Sequence, residues 1–403
     1  MTIRSRRRIL AAGAITATTA LVLAACGSGD DGAGAADGGV AKDQSHVEVV
    51  ATTTQICDYV TQIATDDSPE AKLSFTKTDS SGAETHAGAD EGSAEASLDL
   101  TCLLAPNASA HNHEMTPQQM KALGDADLFL VSGVDLEHFL DSAVESSGFH
   151  GVMGVTSGVL TADEVEDLPA QEAKERDLPY EVFRGDRKVE VATWPFPPEE
   201  GEKEPEFRYD PHVWTSPADA AIQVHNIGEA LKKVTPDHAD LFTKRVDAYE
   251  TQLTDLDSWV KQSIETVPEE HRVLFTSHDA FGYFSKHYGV TFIGAAMSDF
   301  NAQQDATAEH IRAAAEQVKE SGAVALFAEN SNNSASIEAV ARAAGVKAII
   351  GDDALYGDSL GPDGSAGVTY VGSIVHNVRT LVDAWNGKPA DLPASLPAGA
   401  DVH

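Results

Sequence analysis

A long stripe of apolar residues near the middle of the chain constrains the fold more than any other feature of the sequence. Apolar side chains recur there at steps near three and four: Leu241, Val246, Tyr249, Leu253, Leu256, Val260 and Ile264. This spacing predicts one buried face of a helix of about 28 residues, about 40 Å long at the standard rise. Pro236 and Pro268 mark its two ends. A helix of this length can pass from one domain to another.

Short apolar strands alternate with helical patterns on both sides of this stripe. Strands are predicted near 47–53, 98–104 and 128–132 before it, and near 273–276, 290–293, 324–328 and 346–350 after it. Such alternation favours right-handed crossovers and mainly parallel sheets. We therefore expect an α/β fold with two lobes, at 46–235 and 269–403, joined by a long rigid linking helix at 236–268.

Two polar stretches interrupt the first lobe. The stretch at 66–97 is rich in Ser, Gly and Glu and carries one histidine, His86, so we expect a solvated loop. The stretch at 163–209 is rich in Glu, Pro and Lys and shows no long apolar period, which predicts an exposed excursion. It contains no histidine, so only carboxylates such as those of Glu199, Glu200, Glu202 and Glu204 could gather a cation there.

The first residues have the organisation of an export signal. Four arginines at positions 4–8 precede an apolar run over 9–25, which ends in Leu-Ala-Ala-Cys at 23–26. This ending resembles a bacterial lipobox, so we expect a signal peptide at 1–25, lipid attachment at Cys26 and a flexible tether at 26–45. The protein would then sit on the outer face of the cytoplasmic membrane. An ordinary signal peptide with a chance cysteine is the alternative, and the choice between Sec and twin-arginine export stays open.

The remaining cysteines and the net charge agree with an exported protein that attracts cations. With Cys26 lipidated, Cys57 and Cys102 are left, and two such cysteines outside the cytoplasm most often form a disulfide. A cysteine metal site is less favoured because they lie 45 residues apart. The chain has 28 basic and 64 acidic residues, a net charge of −36, which argues against nucleic-acid binding.

Three histidines and one aspartate occupy positions typical of a ligand site. His111 lies between a predicted strand and a predicted helix, His278 directly follows a predicted strand, and Asp353 follows the strand ending at residue 350. The carboxyl ends of strands are where α/β sheets place ligands. His212 lies in an Asp-Pro-His-Val-Trp string, for which we assign no preceding strand.

These segments resemble those of one known family. The string at 210–214, the His-x-x-x-x-Thr-Pro segment at 111–117 and the His-Asp-Ala-Phe-Gly-Tyr-Phe segment at 278–284 are similar to motifs of the zinc/manganese solute-binding proteins of ABC transporters, as is the stretch at 369–377. The resemblance extends over residues 46–388. It implies a metal ion held between two α/β lobes, a non-enzymatic monomer, and delivery to a permease, with an accessory metal donor as a possible further partner.

The metal ligands implied by this resemblance are His111, His212, His278 and Asp353. Three imidazoles and one carboxylate suit Zn²⁺, whereas a Mn²⁺ site usually offers more oxygen donors. His113 is the alternative to His111, because Ser-Ala precedes His111 where the family commonly has Asp-Pro. Glu329 follows a predicted strand and could hydrogen-bond a ligand imidazole.

Other functions remain as alternatives to zinc capture. A manganese importer protein would use the same fold, and a metal-dependent adhesin or surface protein would tolerate loss of the metal. A zinc hydrolase is disfavoured, since catalytic zinc keeps an open coordination position and no His-Glu-x-x-His string occurs in the sequence.

Overall fold

The computed structural model describes residues 45–66, 72–195, 207–296 and 307–396. The predicted signal peptide, nearly all of the predicted tether with Cys26, and the four glutamates at 199–204 lie outside these residues. Within the part described, no helix combines the length and the hydropathy needed to cross a membrane. The described residues form two α/β lobes, as the alternation of strands and helices predicts.

The first lobe is built on a seven-stranded sheet in the order β3-β2-β4-β1-β5-β6-β7. Its strands are β1 His46–Ala51, β2 Leu73–Thr78, β3 Glu84–Gly88, β4 Ala96–Cys102, β5 Leu128–Val131, β6 Val152–Val155 and β7 Glu181–Phe183. All neighbours pair in parallel except β3, which is antiparallel to β2. The helices of this lobe are α1 Thr54–Thr65, α2 Pro117–Asp125, α3 Leu140–Ser147, α4 Ala162–Glu175 and α5 Pro217–Val234.

The second lobe is built on a four-stranded parallel sheet in the order β11-β10-β8-β9. Its strands are β8 Val273–Thr276, β9 Thr291–Ala295, β10 Ala325–Phe327 and β11 Lys347–Ile349. Its helices are α7 Gly282–Tyr288, α8 Ala308–Ser321, α9 Ala335–Ala344 and α10 Tyr370–Ala384. The sequence pattern located each of these four strands to within a few residues.

Helix α6, Ala239–Ile264, lies between the two sheets in the chain and packs on both lobes. Near its start, the buried Arg245 donates from Nη1 to the carbonyl oxygens of Ile63 and Ala64 at the end of α1. Near its end, Trp259 Nε1 donates to the carbonyl oxygen of Ala390. The helix therefore joins the lobes, as its apolar stripe predicts. The exact lobe boundaries remain predictions.

The expectation of a solvated loop at 66–97 is wrong. This stretch contributes β2 and β3 to the edge of the first sheet, and Leu73 and Phe75 are buried in the core. Only alternate residues of β2 are apolar, because one face of the strand meets the core and the other meets solvent. That short period is easily hidden among the Ser, Gly and Glu residues around it.

The exposed excursion predicted at 163–209 is partly wrong as well. Its first half forms α4 and the sheet strand β7. Helix α4 has non-helical dihedral angles at Asp167, two residues before Pro169, and this kink interrupts the apolar period that would otherwise reveal a helix. The described residues of its second half, 184–195 and 207–209, carry no named helix or strand.

The predicted pairing of Cys57 and Cys102 is present as a disulfide between α1 and the end of β4. Both cysteines are buried. The disulfide closes a loop of the chain that contains the 66–97 segment. The segment that carries β2 and β3 is therefore flanked on both sides by a covalent cross-link.

Candidate metal centre

His111 reaches the centre of the molecule from a turn that follows β4. The turn is a short 3₁₀ helix over Ala110–Asn112, and the hydroxyl of Ser109 accepts a hydrogen bond from the His111 backbone N–H at 3.3 Å. The alternative ligand His113 points away and packs its ring against Phe139, with ring centroids 5.1 Å apart. The structure therefore brings His111, and not His113, to the site.

His212 is held by its neighbour Asp210. The carboxylate oxygen Oδ1 of Asp210 accepts hydrogen bonds from the His212 backbone N at 2.9 Å and from its ring Nδ1 at 2.7 Å. The other ring nitrogen, Nε2, is thereby directed to the centre. The proline in this string removes a backbone donor, and α5 begins shortly afterwards at Pro217.

His278 follows β8 in the second lobe and is held by Glu329, which follows β10. The backbone N of His278 donates to Glu329 Oε1 at 3.0 Å, and its Nδ1 lies 3.3 Å from Glu329 Oε2. Both residues are buried. Sequence reasoning suggested a contact between Glu329 and a ligand imidazole, and the structure has that contact.

The acidic member of the site is Asp358, and the prediction of Asp353 is wrong. Asp353 ends an exposed 3₁₀ turn directly after β11. The chain then pairs once more with the end of β10, through a bridge between Glu329 and Leu355, before it reaches Asp358. The carboxylate of Asp358 is buried and accepts a hydrogen bond from Ser109 Oγ at 2.7 Å. No local signal in the sequence separates Asp358 from the neighbouring aspartates at 352, 353 and 363.

The loop that carries Asp358 is tied to the first lobe. The backbone N of Leu360 donates to Thr54 Oγ1 at 2.9 Å, and the carbonyl oxygen of Leu360 accepts from the backbone N of Asn107 at 3.0 Å. Trp214 Nε1 donates to the carbonyl oxygen of Gly357 at 3.0 Å. These long-range hydrogen bonds set the path of the loop and place Asp358 beside the histidines.

The four side chains form one compact cluster of buried donor atoms, all within 4.8 Å of one another. His111 Nε2 lies 3.1 Å from His212 Nε2 and 3.8 Å from Asp358 Oδ2. Asp358 Oδ1 lies 3.6 Å from both His212 Nε2 and His278 Nδ1. Two of the four residues come from each lobe, so the cluster lies where the lobes meet.

Burial and neighbouring charges shift the pKa values of the three histidines in different directions. Burial holds the pKa of His111 well below its ordinary value and lowers the pKa of His278 to about 3, so both imidazoles are neutral at neutral pH. Burial also opposes the charged form of His212, but its hydrogen bond to Asp210 and the charges of Asp210, Asp358 and Glu329 outweigh burial and raise its pKa.

The two carboxyl groups at the centre, those of Asp358 and Glu329, also have pKa values shifted in opposite directions. Burial alone would raise the pKa of Asp358, but electrostatic interactions with His278, His111 and His212 and the hydrogen bond from Ser109 lower it to about 2. Burial and the charge of Asp358 raise the pKa of Glu329 well above its ordinary value. Asp358 therefore offers a carboxylate to a cation at neutral pH.

Aromatic side chains cover the cluster on the side of the excursion. The ring of Phe207 lies 5.7 Å from that of His111, and Trp194 lies 6.2 Å from His212 and 5.3 Å from Phe207, all between ring centroids. The exposed His138 stacks on Phe207 at 5.8 Å. These rings reduce the access of water and strengthen electrostatic interactions within the cluster.

Comparisons with known proteins agree with this geometry. The family model described as zinc-uptake complex component A, periplasmic (ZnuA), matches residues 92–384. The zinc-binding protein TroA of Treponema pallidum is 29% identical over 294 residues, which cover 72% of this chain and 83% of TroA. The manganese-binding lipoprotein MntA of Bacillus subtilis is 28% identical over 288 residues, which cover 71% of this chain and 82% of MntA.

Solved structures give the same result for the fold. The structure of periplasmic TroA superimposes with a TM-score of 0.59 at 26% identity and covers 84% of this chain and 99% of TroA. Two further relatives, FimA of Streptococcus parasanguinis and PsaA of Streptococcus pneumoniae, are named as a metal and a manganese ABC transporter substrate-binding lipoprotein. From the family match, the two-lobed fold and the buried cluster between the lobes, we conclude that the chain belongs to the ZnuA family of metal-binding solute-binding proteins of ABC transporters.

Proposed function

We propose that this protein captures Zn²⁺ outside the cytoplasmic membrane and delivers it to the permease of an ABC-type importer. The observation that carries the proposal is the donor set: three buried imidazoles and the single carboxylate of Asp358. In this proposal His111, His212, His278 and Asp358 are the four ligands of the transported ion.

The spacing of the donor atoms fits a zinc ion. A tetrahedral Zn²⁺ with bonds of about 2.0–2.1 Å holds its donor atoms about 3.3 Å apart. The measured separations between donor atoms of the cluster include 3.1, 3.6 and 3.8 Å. Since all four donor atoms lie within 4.8 Å of one another, relative movements of at most about 1.5 Å would close the site on the ion.

The chemistry of the donors favours zinc over manganese. Imidazole nitrogen suits borderline-soft ions such as Zn²⁺, whereas Mn²⁺ favours carboxylate, carbonyl and water oxygen. The relatives do not decide between the two, since TroA is named as zinc-binding and MntA as manganese-binding. Capture of Mn²⁺ by the same cluster is therefore the alternative function.

Four protein ligands favour capture over catalysis. A catalytic zinc site supplies three protein ligands and leaves one position for water, whereas a closed site supplies four. With all four positions filled by protein, release of the ion requires the two lobes, or the loop that carries Asp358, to move. We infer that contact with the permease causes this movement.

The predicted lipid at Cys26 would keep the protein beside its permease. The predicted tether over 26–45 leads directly into β1, the central strand of the first sheet. Mass spectrometry of protein from a bacterial host tests this part: wild type should carry a diacylglyceryl group at residue 26, and the Cys26→Ser variant should carry none. A wild-type N-terminus without lipid would limit the proposal to a freely diffusing protein.

The main experiment compares the affinities of the purified protein for Zn²⁺ and Mn²⁺ by competition with a chromophoric chelator. We expect one tightly bound Zn²⁺ per chain and much weaker binding of Mn²⁺. The His111→Ala, His212→Ala, His278→Ala and Asp358→Ala variants should each lose the tight binding, whereas His113→Ala, which changes a histidine outside the cluster, should keep it.

Each other outcome has a defined meaning. Preferential binding of Mn²⁺ would make the protein a manganese importer component and overturn the choice of metal. Tight zinc binding that survives the four variants would place the transported ion elsewhere and overturn the ligand assignment.

A further inference from the structure

We propose that His46, Glu48 and Asp99 form a second divalent-metal site on the seven-stranded sheet, near the partly exposed start of β1. The site lies at the start of β1, whereas the cleft cluster lies beyond the carboxyl end of the same strand, so the two sites are separate. The second site does not depend on the proposed function of the first.

The register of β1 and β4 brings the three side chains together. The two strands pair in parallel, with His46 opposite Ser97 and Glu48 opposite Asp99. Side chains alternate between the two faces of a sheet, so these four residues share one face while Val47 and Leu98 face the core. The site is thus built on two rigid neighbouring strands and not on a loop.

The imidazole of His46 is oriented toward the two carboxylates. Its Nε2 lies 3.1 Å from Glu48 Oε1 and 3.9 Å from Asp99 Oδ2. Its other nitrogen, Nδ1, lies 2.8 Å from Ser97 Oγ. When Nδ1–H donates to this hydroxyl, Nε2 keeps the lone pair that a metal ligand needs.

Among the residues that the structure describes, the two carboxylates have no lysine or arginine in ion-pair contact, and Lys121 interacts with Glu48 only through its charge. Neither Glu48 nor Asp99 forms an ion pair with lysine or arginine there, and His46 is their shared ionic partner. Like charges directly opposite each other on neighbouring strands destabilise the pairing. Burial and the nearby charge of Glu48 raise the pKa of Asp99. A divalent cation between the carboxylates would remove this repulsion.

A second imidazole extends the same row. Thr76 on β2 is opposite Asp99 and also opposite His86 on β3. The ring nitrogen Nδ1 of His86 lies 3.0 Å from Thr76 Oγ1. The row of Glu48, Asp99, Thr76 and His86 thus crosses four adjacent strands, two of which are the added strands β2 and β3.

Another cluster of histidine and acidic residues differs from this one because a lysine already pairs with one of its carboxylates. Asp186, His225 and Glu229 also lie close together. There, Glu229 pairs with Lys232, and both ring nitrogens of His225 are engaged, by Asp186 at 2.7 Å and Glu250 at 2.8 Å. Since a protein cation already compensates that cluster, we assign no metal to it and use it as a control.

Exposure indicates how the site at His46 binds a metal. The side chains of His46, Glu48 and Asp99 are 42, 45 and 40% exposed. Water can therefore fill the remaining coordination position, and exchange with solvent is open. We expect weaker and faster Zn²⁺ binding than in the buried cluster.

Titration of the purified protein with Zn²⁺, followed by isothermal calorimetry, tests this site. We expect two binding events, one tight and one weaker. The His46→Gln and Asp99→Asn variants should weaken the second event about tenfold or more and leave the tight one unchanged, while Ser97→Ala should weaken it less. The control Asp186→Asn should change neither event. Circular dichroism establishes that each variant is folded.

The outcomes separate this site from the function proposed above. The His212→Ala variant should lose the tight event and keep the weaker one. If the wild type shows the weaker event without the tight one, the function proposed for the cleft fails and the second site stands. A wild type that shows the tight event alone, or a weaker event that is unchanged in both His46→Gln and Asp99→Asn, overturns the second site.

Discussion

Asp210 Oδ1 accepts hydrogen bonds from both the backbone N and the ring Nδ1 of His212, at 2.9 and 2.7 Å. This pairing fixes the ring and its tautomer, so that Nε2 faces His111 and Asp358. Histidines that bind metals commonly donate their second ring nitrogen to a carboxylate in this way, which makes the imidazole a stronger ligand.

Replacement of this carboxylate should weaken metal binding without removing a ligand. We expect Asp210→Asn to reduce Zn²⁺ affinity by about 10–100-fold, because the neutral amide no longer selects the tautomer or stabilises the ring. Chelator competition measures the change. The matched control is Asp186→Asn, which removes the same charge beside His225. An equal loss in both variants would mean that net charge, and not the orientation of His212, is responsible.

The fourth ligand can be tested with two aspartates only five residues apart. Asp358→Asn should weaken Zn²⁺ binding by more than Asp210→Asn does, because it removes a buried carboxylate ligand and not a residue that orients a ligand. Asp353→Asn should leave affinity unchanged, because that side chain is exposed at the end of a turn. The reverse result, with Asp353 essential, would contradict the structure.

Zinc affinity should fall as the pH is lowered. The slope of log K against pH gives the number of protons that compete with the ion. His212 has a raised pKa and must lose a proton to bind, so affinity falls as pH drops below that value. His278, whose pKa burial lowers to about 3, adds almost no proton between pH 6 and 4, and burial likewise lowers the pKa of His111 and disfavours its protonation. Asp358, with a pKa of about 2, stays ionised.

Between pH 6 and 4, log K should therefore fall by about one per pH unit for His212. Glu329, whose pKa is raised, can add at most one more proton if the bound cation ionises it. The Glu329→Gln variant removes that contribution and should give a slope of one. A slope of three in this variant would require all three histidines to be protonated in the metal-free protein.

Two glycines leave room for the carboxylates that hold the ligand histidines. A Cβ atom at Gly357 would lie 2.1 Å from Glu329 Oε2, and one at Gly282 would lie 2.2 Å from Asp210 Oδ2. We expect Gly357→Ala to displace Glu329 from His278 and to lower zinc affinity. Gly92→Ala, where no atom lies within 4 Å of the added methyl group, should leave affinity unchanged. Unchanged affinity in Gly357→Ala would show that Glu329 does not position His278.

The disulfide should contribute to stability and not to metal affinity. Its cysteines are 45 positions apart, and a loop of that length corresponds to about 4 kcal/mol of unfolded-state entropy. The Cys57→Ala/Cys102→Ala double variant should therefore unfold at a lower urea concentration than wild type. Its Zn²⁺ affinity should remain, because neither cysteine belongs to the cluster. Equal urea midpoints would argue against a stabilising bridge.

The sequence by itself determined the fold class, the linking helix and three members of the site. Apolar periodicity depends on which face of an element is buried, so α6 and the strands β8, β10 and β11 could be located from local residues alone. His111 and His278 follow strands, and the motifs around them and His212 are local strings, so their places could also be inferred. The solvated loop assigned to 66–97 was wrong because alternating apolar residues on a half-exposed strand give a weak signal.

Only the tertiary structure decided the acidic member and the partners of the histidines. Asp353 follows β11 directly, but the chain forms one more bridge at Leu355 before the loop turns inward. Hydrogen bonds from residues about 250 to 300 positions away, those of Ser109 and Thr54, then fix the loop so that Asp358 faces the histidines. Such contacts depend on how the two lobes meet, and no local pattern of residues records that arrangement.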